Sequence, residues 1–181
     1  MNRIKSNLLL FAVLFTINLA FISCSSDDDS SGNSSDEQRM LNVEKADGTL
    51  FTDGEVVTFN TIGAGDDRND GAKLKYYLKN EGNEDINVKI EVSEIRGTDG
   101  SLFTFCVQPL CIFEVTEGQS YPPNGTVITP GEYNSQDDYF INNDAGEENT
   151  TAIEYDMRFY VEDENGNQTD ELTITYRYQP E

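Results

Sequence analysis

Neither histidine nor tryptophan occurs among the 181 residues of this chain, and only 12 lysines and arginines stand against 34 aspartates and glutamates. Without histidine the commonest general base and the commonest metal ligand are missing, so any catalysis would rest on carboxylates or tyrosines alone. No Ser-His or Cys-His arrangement, P-loop or zinc pattern is present, and no pair of carboxylates stands out among the 34. The sequence therefore reads as that of a protein that is not an enzyme. The shortage of cations gives a formal net charge of −22. Phosphate groups would be repelled, which argues against nucleic acid and anionic lipid head groups as partners and leaves divalent cations, neutral sugars and basic protein surfaces. A sustained 3.6-residue apolar period is also missing, which argues against helices.

What is present begins with an export-like start. Arg3 and Lys5 precede an apolar run over 8–22, interrupted only by Thr16 and Asn18, and the run ends in Phe21-Ile22-Ser23-Cys24. A transmembrane span needs about 20 apolar residues, more than this run supplies. A small residue before a cysteine at the end of such a run suits a lipoprotein signal peptidase, so Cys24 is the expected lipidation site. The alternative is an ordinary secretory signal cut near Ala20, with Cys24 left as a thiol. Residues 1–23 are thus read as a lipoprotein signal peptide and 24–38 as the lipidated cysteine with a flexible acidic tether. Residues 25–38 contain no apolar side chain, so nothing offsets the entropy of ordering them. As a coil they span roughly 20 Å. The 158 residues from Cys24 onward carry ten basic and 34 acidic residues, a net charge of −24.

Ser25-Ser26-Asp27-Asp28-Asp29-Ser30 follows the cysteine directly. This stretch resembles the start of mature Bacteroidota lipoproteins, and the resemblance implies that Ser26, Asp27, Asp28 and Asp29 form a signal for export to the outer face of the outer membrane. The same residues also read as a solvated acidic linker. The implied location is the outer membrane, lipid-anchored and facing the cell exterior.

Residues 39–181 read as all-β. Segments rich in Val, Ile, Phe, Tyr and Thr recur between turn clusters, with strands expected over 40–45, 56–61, 72–80, 86–95, 102–107, 111–115, 126–129, 138–142, 151–162 and 171–179. Alternation predicts the core-facing side chains in four of them: Leu74, Tyr76 and Leu78; Ile86, Val88, Ile90 and Val92; Ile153, Tyr155, Met157, Phe159 and Val161; and Leu172, Ile174, Tyr176 and Tyr178. One apolar and one polar face per strand is what an antiparallel sandwich requires. Asn165-Gly166 predicts a hairpin between the last two strands, and Glu81-Gly82-Asn83 a second one in the same manner. The spacing of the apolar runs resembles immunoglobulin-like modules of secreted Bacteroidota proteins. That resemblance implies an immunoglobulin-like antiparallel β-sandwich, a fold shared by many unrelated functions.

Three groups of residues bear on chemistry. Cys106 and Cys111 flank a short turn containing Pro109, and in an exported protein they read as a disulfide across a hairpin. Zinc would need two further soft ligands that the sequence lacks. With Cys24 lipidated, all three cysteines are accounted for. Second, acidic loops offer hard oxygen ligands of the kind calcium takes: Asp66, Asp67, Asn69 and Asp70 foremost, then Asn142-Asn143-Asp144 with Glu147-Glu148, and Glu162-Asp163-Glu164-Asn165. None fits the EF-hand pattern, and the first reading of all of them is as solvated loop tips. Third, Tyr121, Tyr133 and Tyr139 are expected in or near loops, where a ring stacks on a sugar, packs on a partner or simply packs on the rim. The functional expectation is a surface-anchored, non-catalytic interaction or adhesion module, held to the membrane by lipid and without a cofactor. The alternative is a glycan-binding module assisted by calcium.

Overall fold

The computed structural model describes residues 39–65, 71–146 and 152–181. These form ten strands and, among the described residues, no helix: β1 (Leu41–Lys45), β2 (Glu55–Phe59), β3 (Lys73–Asn80), β4 (Ile86–Arg96), β5 (Phe103–Val107), β6 (Leu110–Ile112), β7 (Gln119–Ile128), β8 (Tyr139–Asn142), β9 (Ile153–Glu162) and β10 (Gln168–Tyr178). The first sheet runs β1-β3-β8-β5-β6 and the second β2-β10-β9-β4-β7. Strands β1-β3-β8-β5 take the A-B-E-D places and β10-β9-β4 the G-F-C places of the immunoglobulin fold. Every pairing is antiparallel except that of β2 with β10, which is parallel.

All sixteen side chains expected to face inward from β3, β4, β9 and β10 are buried. Their period of two places each of them on the inner face, where the sheets interlock. Aromatic rings carry much of that contact. Phe103 of β5 stacks on Tyr155 of β9 with centroids 3.9 Å apart, and Tyr76 of β3 meets Phe159 of β9 edge-on at 5.5 Å. Three fully buried phenols are satisfied: Tyr76 donates to the Cys106 carbonyl at 2.8 Å, Tyr176 to the Ala72 carbonyl at 2.7 Å and Tyr155 to the Asn142 side chain at 3.2 Å. Burial raises the pKa of each, so they stay protonated and serve as donors.

Three expectations are corrected. Glu81-Gly82-Asn83 does not close a hairpin, because β3 and β4 lie in different sheets and the segment crosses between them. The crossing is fixed by the fully buried Asn80, whose amide donates to the Glu84 and Ile128 carbonyls at 2.7 and 2.8 Å while its oxygen accepts from the Gly82 N–H at 2.8 Å. β7 begins seven residues earlier than expected and takes in Tyr121, Pro122 and Pro123. Proline is tolerated there because β7 is an edge strand, so a missing donor breaks no ladder. Finally, β9 and β10 do pair, but Glu162 faces Gln168, leaving a five-residue loop over 163–167. The Asp163 carboxylate organises it by accepting from the N–H groups of Asn165 and Asn167, both at 2.8 Å.

Candidate functional site

The two outer sheet faces differ in character. On the second sheet, cations and carboxylates neutralise one another across β4, β9 and β10. Arg96 pairs with Glu94, Glu154 and Asp156 at 2.6, 2.6 and 2.8 Å, Arg177 with Glu154 at 2.5 Å, and Arg158 with Glu91 and Glu171 at 2.5 and 3.2 Å. Lys89 pairs with Glu162. Burial pulls the Glu154 and Asp156 carboxyls upward, but hydrogen bonds from Arg96, joined by Arg177 at Glu154 and Thr175 at Asp156, outweigh it and hold both below the usual carboxylate range. Each cation on this face is already partnered.

The outer face of the first sheet is built differently. In β3 the alternation that buries Leu74, Tyr76 and Leu78 turns Lys73, Lys75, Tyr77 and Lys79 outward. Glu44 of β1 lies directly opposite Tyr77, and Tyr139 of β8 opposite Lys75. Tyr133, in the segment leading to β8, bridges to Lys79. Its ring meets Tyr77 edge-on at 6.5 Å, its hydroxyl donates to Glu44 at 3.0 Å, and the Lys79 ammonium sits 5.5 Å from its centroid. The Lys73 ammonium lies 5.0 Å from the Tyr139 centroid. Such contacts favour a cation by the ring quadrupole. Hydrogen bonding to Glu44 raises the Tyr133 pKa, and hydrogen bonding to Glu81 raises that of Lys79. Three of the six lysines of the chain, Lys73, Lys75 and Lys79, project from β3 on this face. A hollow of about 240 Å³ opens among Glu44, Lys45, Tyr77, Tyr133 and Gln136. It presents aromatic edges beside the Glu44 carboxylate and the Gln136 amide, a combination suited to a polar ligand or a protein surface.

Of the residues singled out from sequence, Tyr133 and Tyr139 come together on this face. Tyr121 does not: it is half-buried in β7 against Phe105 of the first sheet, ring centroids 5.2 Å apart. Cys106 and Cys111 are bonded as a disulfide and stand directly opposite each other in the β5–β6 hairpin, Cα atoms 4.1 Å apart. Asn142 and Asp144 are engaged within the protein. Asn142 donates to the Asp144 carbonyl at 2.6 Å, and Asp144 accepts from the Thr98 hydroxyl at 2.5 Å and the Gly146 N–H at 2.8 Å. Among the described residues, no group of three His, Cys, Asp or Glu is arranged to hold a metal ion. The calcium candidates Asp66, Asp67, Asn69 and Asp70, the pair Glu147 and Glu148, the lipidation residue Cys24 and the export residues Ser26, Asp27, Asp28 and Asp29 lie outside the described residues. Sequence reasoning missed Tyr77 and Glu44 as members of the face. The strict alternation in Lys73-Leu74-Lys75-Tyr76-Tyr77-Leu78-Lys79 did carry the signal for Tyr77, whereas Glu44 is placed only by strand pairing.

No protein-family model matches this chain, and no curated protein is found similar to it. Among solved structures, the CooA pilin subunit of enterotoxigenic Escherichia coli aligns with a TM-score of 0.40 and 12% identity, covering 78% of this chain and 99% of that one. That likeness bears on neither the partner nor the activity of this protein.

Proposed function

We propose that this chain is an outer-membrane lipoprotein, anchored through Cys24 and displayed on the cell exterior, whose β-sandwich is a non-catalytic interaction or adhesion module. The contact surface in this reading is the outer face of the first sheet. The observation that carries it is the ring cluster: the first sheet's outer face presents Tyr77, Tyr133 and Tyr139 beside lysines, one of them, Lys79, ion-paired with Glu81, and Tyr133 is 38% exposed. The second sheet's outer face is instead a network of ion pairs. Aromatic side chains with a polar tip are the residues most enriched where proteins meet partners.

A second reading is glycan recognition. It is favoured by the hollow beside Tyr133, where Glu44 and Gln136 supply hydrogen-bonding groups next to two rings. Calcium held by Asp66, Asp67, Asn69 and Asp70 belongs to that reading as an accessory. Tyr133→Ala removes the ring that spans Tyr77, Lys79 and Glu44. It should weaken binding about tenfold or more, the effect of losing an aromatic anchor, while the folded core keeps its thermal stability. Parallel measurements on a glycan array and on captured membrane proteins separate the two readings. Unchanged binding by the variant in both assays would remove this face from consideration.

A further inference from the structure

Of the four outermost strands, three have their free edges guarded. β1 is covered by the chain doubling back on it: the Lys45 N–H donates to the Thr49 carbonyl at 2.7 Å and the Phe51 N–H to the Val43 carbonyl at 2.9 Å. β6 is only three residues long and is tied by the Cys106–Cys111 disulfide. β7 carries Pro122 and Pro123, and its register against β4 breaks between Val88 and Ile90. Short strands, prolines and irregular register are the usual means of blocking edge-to-edge association. β2 has none of them. It reads Glu-Val-Val-Thr-Phe, pairs through β10 alone among the described strands, and leaves Val56 43% exposed beside an exposed Thr58.

We propose that the free edge of β2 pairs with β2 of a second copy of this chain, antiparallel and centred on Val57, joining the two second sheets into one continuous ten-stranded sheet. The register argues for a copy of itself. Centring on Val57 sets Val56 opposite Thr58 of the partner and Glu55 opposite Phe59 of the partner, so no acidic residue of the strand faces another. The two Glu55 carboxylates, each held by its own Lys45 at 2.7 Å, end up about 13 Å apart along the strands. A parallel pairing would put Glu55 against Glu55 in a chain of net charge −22. The antiparallel arrangement is also the self-complementary, closed two-fold interface that homodimers favour. It uses the edge of the second sheet and leaves the Tyr133 face of the first sheet free, so the two readings stand or fall separately.

The sign of the salt dependence distinguishes this association from one held by ion pairs. Two strongly acidic copies repel, and salt screens that repulsion. In sedimentation velocity of the full chain in non-ionic detergent, the dimer dissociation constant should fall about tenfold between roughly 0.05 M and 0.5 M salt. Val56→Asp, at an exposed position, should abolish the dimer with the melting temperature kept. The double variant Val56→Asp with Thr58→Lys should regain it, because each new aspartate then faces a lysine across the two-fold axis. Tyr133→Ala should leave dimerisation unchanged. A monomer at every salt concentration, association that weakens with salt, a dimer that survives Val56→Asp, or a double variant that stays monomeric would each overturn the proposal.

Discussion

Asp138 shows how one polar side chain is held inside this molecule. It is fully buried just before β8 and accepts the Gln108 N–H at 2.8 Å and the Asn134 amide at 2.9 Å, so it joins the β5–β6 turn to the segment ahead of β8. Burial pushes its pKa above the ordinary aspartate value, and the two hydrogen bonds only partly offset this. A carboxyl with a raised folded-state pKa binds its proton more tightly when folded. Its contribution is therefore favourable below the unfolded value of about 3.9 and is lost as pH rises through the folded value. Asp138→Asn removes that titration. The stability of the wild type relative to the variant should fall as pH rises from about 3 toward neutrality, checked by urea unfolding at a series of pH values. Asn80 behaves differently because it carries no charge. Truncation to alanine strands the buried Ile128 carbonyl and the part-buried Glu84 carbonyl and Gly82 N–H, so Asn80→Ala should cost about 3 kcal/mol in the same measurement. A loss well under 1 kcal/mol would mean that water replaces the amide.

At the scale of elements, the β5–β6 hairpin is the most local. Its disulfide closes a loop spanning only five positions, so it constrains the unfolded chain little. In the chain-entropy treatment it contributes about 2 kcal/mol. The hairpin is also held from within, through the Tyr76 hydroxyl on the Cys106 carbonyl and the tilted packing of Phe105 against Phe140. Reduction should therefore add about two daltons to the mass and lower the melting temperature by a few degrees, leaving the sandwich folded by near-ultraviolet circular dichroism. Global unfolding on reduction would show that the bond, not the core, holds β5 in place. The crossing from β3 to β4 and the pairing of β2 with β10 are non-local by comparison, since residues over a hundred positions apart meet in the second case.

For the whole molecule, the proposed address rests on Cys24 and the acidic run after it. Several acyl chains hold a protein to a membrane far more firmly than exposed side chains do. Cys24→Ala should abolish labelling by a fatty-acid probe and release the protein from membranes, whereas equal labelling of the variant would end the lipoprotein reading. Replacing Asp27, Asp28 and Asp29 with alanine should leave labelling intact and protect the protein from protease added to intact cells. Unchanged cleavage would reduce the run to a spacer.

The sequence by itself determined the strand content and which side of four strands faces inward, because a period of two is written into neighbouring residues such as Ile86, Val88, Ile90 and Val92. It also pointed to the disulfide, since Cys106 and Cys111 sit a turn apart and the chain has no further soft ligands to complete a zinc site with them. Tertiary structure alone decided what depends on contacts distant in the chain. Glu81-Gly82-Asn83 has hairpin composition, yet it became a crossing because β4 found its partners in β9 and β7. Tyr121 has the flanking prolines of a loop, yet it lies in an edge strand where those prolines break no ladder. The place of Glu44 in the Tyr133 face and the unguarded edge of β2 were illegible for the same reason. Which strand ends at an edge, and which side chain from another segment lies across an outward row, are fixed by pairings between residues far apart in the chain.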